Sequence, residues 1–297
     1  HAWRSRSRRD RSIMQPLSCP EEFGCRQPGE FEVSIGENYR SHEDIVAYAR
    51  GIGYPSQLSA HFKNTAVHPL SAVSLPSFGF PANLPYWPEL KQMVSTSPAV
   101  MTLLHDDDLS SQGNEVEAML VASLVWSLRE TLSAELDGQK PGVTHAPPTS
   151  KQFWANSVGI VTPHRAQRAL VVRELRKLWQ GEAALIDEAV DTVEKFQGGE
   201  RHVIIVSFGV ADADVIAGEE AFLMQLQRTN VAISQAMAKC IVIMPTTLAG
   251  HVPQDKQALL TAHAIKDYVD DFCNHEQPIS IQLPNGTTRG GKLRFRV

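Results

Sequence analysis

From residue 99 onward, short unbroken apolar runs alternate with segments whose apolar residues recur at helical spacing. AVMTLLHD (99–106), VGIVT (158–162), VIIVSF (203–208) and CIVIM (240–244) read as strands that are apolar on both sides. Such runs suit a parallel sheet buried on both faces rather than a sheet with one wet side. Between them, Val116, Leu120, Leu124 and Leu128 mark a helix within residues 114–136. Further helices are predicted over 164–179, over 219–227 with an extension at 231–238, and over 258–273, the last amphipathic. Upstream, Ile45, Val46, Tyr48 and Ala49 mark a short helix over 42–54, with Ser41 as its cap and Gly51 and Gly53 at its end. Strands separated by helices predict an α/β fold, a parallel sheet with helices on both faces.

The closing string ISIQLPNGTTRGGKLRFRV (279–297) reads as a β-hairpin turning at Asn285 and Gly286, a pair suited to positive φ. Lys292, Arg294 and Arg296 fall at period two on its last strand, hence on one face. Two readings of that face stay open: a solvated edge strand protected by charge, and a contact to a phosphate backbone. Residues 1–30 carry no sustained periodicity, 55–98 are rich in Pro, Ser and Asn, and 137–150 form a loop by composition.

Composition narrows the class. A chain of 297 residues with 42% hydrophobic content suits a soluble globular protein of one large or two modest domains. Its apolar stretches fall far short of the ~20 residues a spanning helix needs, and the N-terminus lacks a signal-peptide core, so no membrane is implied. The net charge of −5 hides an asymmetry, because five arginines between Arg4 and Arg11 are countered there only by Asp10. Without residues 1–12 the chain has 23 basic against 32 acidic residues, a net charge of −9. A globally basic nucleic-acid footprint is therefore absent, and strand binding would need a local groove. The arginine-rich start reads as a tail, a basic arm or the ragged start of a reading frame, and an opening on His1 suits a fragment. Cys19, Cys25, Cys240 and Cys273 show no metal-ligand spacing, so a reducing cytoplasmic setting is expected.

Chemistry gathers where the apolar runs meet polar residues. In FQGGERHVIIVSF (196–208), Gln197, Gly198 and Gly199 make a turn whose backbone can approach a ligand, and Glu200 can accept hydrogen bonds from ribose hydroxyls. VTPHRAQ (161–167) sets Thr162, Pro163 and His164 just past a strand's carboxyl end with helix amides behind them, which suits an anion. ENYRS (37–41) puts Tyr39 beside Arg40 at the mouth of a helix, where a ring can stack on a base and a guanidinium can reach a phosphate.

Together with VDTVEKFQ (190–197) and RTNVAISQAMAKCIVIM (228–244), these strings in this order resemble the motor motifs of superfamily 1 helicases, in the branch of RNA-surveillance and Okazaki-processing enzymes. The resemblance covers residues 35–275 and implies a RecA-like P-loop NTPase fold, the second of two such domains that clamp ATP between them. It implies that Tyr39 packs on adenine, Arg40 meets the γ-phosphate, and Gln197, Gly198 and Glu200 lie on the nucleotide, Glu200 at the sugar. It implies that Thr162, Pro163, His164 and Thr192 grip single-stranded DNA or RNA along a 5′-to-3′ track. An aromatic often stands where this chain has His164; a stacking ring and a cap residue both stay open. Arg165 and Arg168 read as assisting cations or as a solvated helix face. The family pattern Arg-x-Asn-Val-Ala-x-Ser/Thr-Arg-Ala retains its first arginine as Arg228, but its second, the catalytic finger, is Gln235 here. Glutamine keeps a donor without full charge, whereas arginine fingers are worth ~10³ to 10⁵ in rate. Arg228 and Lys239, expected one helical turn beyond Gln235, are the candidate compensating cations.

The nearest string to a phosphate loop, GTTRGGKL (286–293), has Leu293 in place of a magnesium-binding hydroxyl and no room for a following helix. AALIDEA (183–189) imitates an acidic magnesium strand but is too short and runs into another strand-like segment. HDDDLSSQ (105–112) reads as an acidic tip or helix-start signal rather than a metal site, and no metal ligand set is assigned. The implied organisation is a basic, irregular tail at 1–30, an inter-domain segment carrying ENYRS at 31–98, the second RecA-like domain at 99–275 and the hairpin at 276–297. ATP and Mg²⁺ would be used only once a missing N-terminal RecA-like domain completes the site, with none expected for the isolated chain. The alternatives are a non-enzymatic nucleic-acid-binding or regulatory module and a degenerate fragment.

Overall fold

The computed structural model of the chain describes residues 36–51, 54–61, 63, 65–67, 79–131, 148–196, 199–224 and 233–297. The elements in order are β1 (Glu37–Asn38), α1 (Glu43–Gly51), β2 (Ser59–Ala60), α2 (Leu90–Met93), β3 (Val100–His105), α3 (Glu115–Thr131) and α4 (Ser150–Gln152). A π-helical turn (Phe153–Ser157) leads into β4 (Val158–Thr162), followed by α5 (Arg165–Leu178), α6 (Ala183–Ala189), β5 (Val190–Thr192) and β6 (Arg201–Ser207). Then come α7 (Ala213–Gly218), α8 (Glu220–Leu223), β7 (Ala236–Pro245), the helices Thr246–Gly250 and Lys256–Lys266, β8 (His275–Gln282) and β9 (Thr288–Phe295). The expectations for 1–30 and for most of the 137–150 loop lie outside the described residues.

Seven strands form one sheet in the order β5-β4-β6-β7-β3-β9-β8. The five strands from β5 to β3 are mutually parallel, and β9 and β8 add antiparallel pairs. The unbroken apolar runs follow from burial on both sides: β3 and β4 are buried at every residue. Alternate side chains feed two cores. Met101, Leu103, Val158, Ile160, Val203, Ile205, Ile241 and Ile243 pack with α3, α5, Trp87 and Trp154. Val100, Leu104, Val161, Ile204, Val206, Cys240, Val242 and Met244 pack with α1, α7, Tyr268 and Val269 on the other face.

Several local expectations are corrected. The Ser41 hydroxyl does not cap α1 but donates to the Ala236 carbonyl at 2.9 Å, and the His42 ring takes the capping place, its Nδ1 accepting from the Asp44 amide at 3.1 Å. The helical extension expected to 238 ends early, because β7 already begins at Ala236 between β6 and β3. Tertiary pairing overrides the helical pattern there. The hairpin turns at Gly286 (φ +82°), but its last strand β9 is internal, paired to β3 and β8, so β8 is the edge. Lys292 pairs with Glu276, Arg294 with Asp270, and Arg296 with Asp44, which engages the basic face within the chain.

Two packing features set the frame. Gly159 in β4 lies under the Phe196 ring: a Cβ there would come within 2.4 Å of Phe196 Cζ and 2.8 Å of Arg201 Cγ. The absent side chain leaves room for the Phe196 ring over β4. At the end of α3, Arg129 makes a two-pronged ion pair with Glu182 (2.6 and 2.7 Å) and lies 5.2 to 5.9 Å from the rings of Phe153, Trp154 and Trp179. Trp154 Nε1 and the Ser150 hydroxyl also donate to Glu182. This cluster fixes the turn that enters β4.

Replacing Gly159 by alanine is expected to reduce stability by about 1–3 kcal/mol through overpacking, read as a lower denaturant midpoint at unchanged m-value. An unchanged midpoint would show that Phe196 yields freely. Burial alone would raise the Glu182 carboxyl, but the hydrogen bonds from Arg129, Trp154 and Ser150 outweigh it and hold the group at about 2. A carboxyl depressed on folding contributes stability above its unfolded value near 4.5 and loses it as pH falls toward 2. Glu182→Gln should therefore destabilise at pH 7 by roughly 1–3 kcal/mol, and the gap to wild type should narrow between pH 4.5 and 2 in acid-unfolding titrations.

Candidate nucleotide and nucleic-acid faces

Because both faces of the sheet are covered, polar groups gather at its two strand-end rims. At the amino ends of β6 and β7, three separate sequence strings meet. Asn38 Oδ1 accepts from the amides of Arg40 (2.7 Å) and Ser41 (2.9 Å), turning the chain so that Tyr39 faces outward, 61% exposed. Arg40 forms an ion pair with Glu200. Ser41 bonds the Ala236 carbonyl, the His42 amide bonds that of Met237 (2.7 Å), and the Arg201 amide bonds that of Gln235 (3.1 Å).

Tyr39 stacks on His61, with ring centroids 4.2 Å apart at 28°. The parallel pairing of β1 with β2 sets this contact, since Asn38 lies opposite Ala60 and the His61 amide donates to the Asn38 carbonyl at 2.8 Å. His61 Nδ1 also lies 3.1 Å from Glu37 Oε2, and hydrogen bonds from Tyr39 and His61 hold the Glu37 carboxyl below its ordinary value. Sequence reasoning missed His61, which sits in an irregular segment with no motif around it.

Gln197, Gly198 and Arg228 lie outside the described residues. Gln235 is 3% exposed and precedes a strand, so Lys239 is not one helical turn beyond it. Lys239 stands inside β7, fully buried, its ammonium donating to the Pro98 carbonyl. Burial lowers it to about 7. Nearby, burial and then the Arg201 charge lower His202 to about 4.

The other rim, at the carboxyl ends of β4 and β5, holds the remaining candidates. Thr162 and Thr192 are register partners on adjacent parallel strands, and both are buried. The Thr162 hydroxyl donates to the His164 carbonyl at 3.1 Å, while the Thr192 carbonyl accepts from the amides of Lys195 (3.0 Å) and Phe196 (2.9 Å). Pro163 joins Thr162 to His164, the residue before α5. The His164 side chain makes no capping bond; its ring stacks on Phe222 (5.1 Å, 25°) and its Nε2 lies 3.0 Å from Glu219 Oε2. Arg168 donates to the carbonyls of Val190 (2.8 Å) and Asp187 (3.0 Å), a tie between α5 and the β5 edge, whereas Arg165 is exposed.

Beside this rim runs a buried polar network that sequence reasoning did not find. The Asp107 amide donates to His105 Nδ1 (3.3 Å), which leaves Nε2 to donate to Glu117 Oε1 (2.9 Å). Glu117 Oε2 accepts from the Ser207 hydroxyl (2.6 Å) and the Gly209 amide (3.0 Å). Gln167 donates to Ser207 (2.8 Å) and accepts from the Asn114 amide (2.7 Å). Asn114 and Ser110 in turn donate to Asp107 Oδ2, at 2.7 and 2.5 Å. The available signal was the polar side chains Glu117 and Gln167, each in the first turn of its helix.

These rims offer a stacking ring, a cation and a carboxylate of the kind a nucleotide needs; neither phosphate-motif candidate forms a cradle, since GTTRGGKL is the turn and strand of β9 and AALIDEA is the helix α6. Among the described residues no group of three His, Cys, Asp or Glu side chains is placed to hold a metal ion. Asp106 accepts from the Gly290 amide and Asp107 sits in the network, so HDDDLSSQ is more than a solvated tip. No helix among the described residues is long and apolar enough to cross a membrane.

Residues 11–246 match the AAA domain family. The chain is 32% identical over 136 residues to a probable helicase of Dictyostelium discoideum, covering 46% of this chain and 13% of that protein. It is 25% identical over 279 residues to the DNA replication ATP-dependent helicase/nuclease dna2 of Schizosaccharomyces pombe, covering 87% of this chain and 18% of that protein. It is 28% identical over 211 residues to the human RNA helicase Mov10l1, covering 70% of this chain and 15% of that protein. The chain thus spans less than a fifth of the length of these relatives.

Lys239 gives the amino rim a measurable pH signature. A lysine whose folded value, about 7, lies below its unfolded value of 10.5 makes stability rise with pH between the two, because the unfolded chain holds the extra proton there. Lys239→Met is expected to flatten that rise and to stabilise the fold at pH 7 by about 1–4 kcal/mol. Melting curves at pH 7 and 9 that differ equally in wild type and variant would refute it.

Proposed function

The chain belongs to the AAA domain family that occurs in superfamily 1 helicases, and we propose that it acts as the second RecA-like half of such a motor. It completes an ATP site whose phosphate loop and magnesium ligands belong to a first RecA-like domain, and it binds single-stranded nucleic acid on its carboxyl rim. The observation that carries this reading is the meeting of Arg40 with Glu200 and of Ser41 with Ala236 at one rim. Three strings far apart in sequence converge there, in the order the helicase motifs require.

In this reading Tyr39 stacks on adenine, Arg40 turns from Glu200 to the γ-phosphate, and Glu200, with the neighbouring Gln197 and Gly198, takes the ribose side. ATP supplies the phosphoryl group and Mg²⁺ neutralises its charge when both are bound; the chain's own residues orient the base and sugar and bring one cation. Ligands of open α/β sheets ordinarily sit beyond carboxyl strand ends. A domain that closes over its neighbour's nucleotide instead leaves that rim to the strand, where Thr162, Pro163, His164 and Thr192 form the grip. Gln235 lends a donor where a finger arginine would bring a full charge, so the completed motor hydrolyses ATP slowly. The same residue favours a second reading, a binding or regulatory module that keeps the groove without the motor.

The purified chain should bind single-stranded DNA or RNA with micromolar affinity that falls as salt rises, since phosphate contacts release counterions. In a motor reconstituted with a phosphate-loop domain, Arg40→Ala should reduce ATP hydrolysis by roughly tenfold or more and leave strand affinity nearly intact. Hydrolysis unchanged by Arg40→Ala would remove the arginine from the site, and a folded chain without strand affinity would remove the groove.

A further inference from the structure

We infer that the loop 106–112 is a further part of the single-strand face, with Leu109 as its apolar contact to a base; this rests on the nucleic-acid reading of the carboxyl rim. A single exposed leucine is ordinary on a protein surface. Leu109 differs in how it is held. It is 79% exposed, yet two residues before it Asp107 is 6% exposed and bonded to Asn114 and Ser110. Immediately after it, the Ser110 carbonyl accepts from the amides of Ala211 (2.7 Å) and Asp212 (2.9 Å). The loop is thus pinned on both sides of the leucine, and the network that pins it runs through Glu117 to Ser207 and Gly209.

The same loop is tied to the proposed grip. Gln112 donates to Glu219 Oε1 at 2.8 Å, and the other oxygen of Glu219 faces His164 at 3.0 Å. Gly113 packs so closely on α5 that a Cβ would lie 2.9 Å from Leu170 Cδ1. A backbone held in advance on both sides of an apolar side chain has little freedom to lose when that side chain meets a ligand.

Charge selects which part of the strand fits. Asp106 turns toward β9, accepting from the Gly290 amide at 3.1 Å and facing Arg289. Asp108 is exposed next to Leu109 and repels phosphates. The surface therefore suits a base rather than the backbone, and leucine is among the side chains that pack against or between bases.

Fluorescence anisotropy with labelled single-stranded oligothymidine and oligouridine, across a salt series, tests this on the purified chain. Leu109→Ala is expected to bind roughly fivefold to tenfold more weakly at every salt concentration, as loss of part of a leucine's burial predicts. Its log-log salt slope should equal that of wild type, because no phosphate contact is lost, and its melting temperature should not change because the side chain is exposed. In Leu109→Trp, the added indole emission should be quenched as the strand saturates. Wild type and Leu109→Ala binding within about twofold of each other, or an added emission indifferent to the strand, would overturn the inference and leave the groove standing. A folded wild-type chain that binds neither strand would overturn the groove itself and the inference with it.

Discussion

Burial of the parallel sheet on both faces is the constraint on which the rest of this structure depends. Strands β3, β4, β6 and β7 send alternate side chains into two separate cores, so almost no polar group can stand along their length. Chemistry is driven to the strand ends. At about 3.3 Å per residue, the seven residues of β6 hold the two rims roughly 20 Å apart. Arg40, Glu200 and Gln235 occupy one rim, and Thr162, Thr192 and His164 the other. Under the proposed function, the length of the sheet's own strands would keep the nucleotide site and the single-strand site apart.

Thr192 stands at one rim and Glu200 at the other, close together in sequence. Thr192 ends β5, the Phe196 ring lies over Gly159 of β4, and Glu200 precedes the amino end of β6. Gly159 leaves room for the Phe196 ring, over which the Arg201 guanidinium sits at 5.5 Å. Close packing of this kind resists local rearrangement of the ring. Under the proposed function, Phe196, packed on β4, stands in sequence between Thr192 at the strand and Glu200 at the nucleotide.

The fold was legible because its signal was redundant. Unbroken apolar runs named the strands of the parallel sheet, and helical spacing named α1, α3 and α5. What failed was local: the helical pattern through 231–238 gave way at Ala236, since pairing between β6 and β3 outweighs intrinsic preference. The internal place of β9 was not readable either, because a hairpin's partner strand lies far away in sequence. Of the candidate site, the strings were visible but their partners were not. Nothing around His61 marks it as the ring beneath Tyr39, and Glu117 resembles any acidic residue in the first turn of a helix. Contacts between distant segments, such as Ser207 with Glu117, leave no periodicity to read.

The charge lost at Gln235 also looks different with the fold in place. A neighbouring cation seemed available in Lys239, yet β-strand geometry points that side chain into the sheet's surroundings, where its ammonium is occupied by the Pro98 carbonyl and its charge is suppressed by burial. An ammonium held there cannot reach a phosphate without breaking a buried hydrogen bond and moving a central strand, which close packing resists. Under the proposed function, compensation would have to come from Arg228 or from the first RecA-like domain. Slow hydrolysis with intact strand binding is, under that same function, what such a geometry favours, because Thr162, Thr192 and His164 stand at the opposite end of the sheet from Gln235.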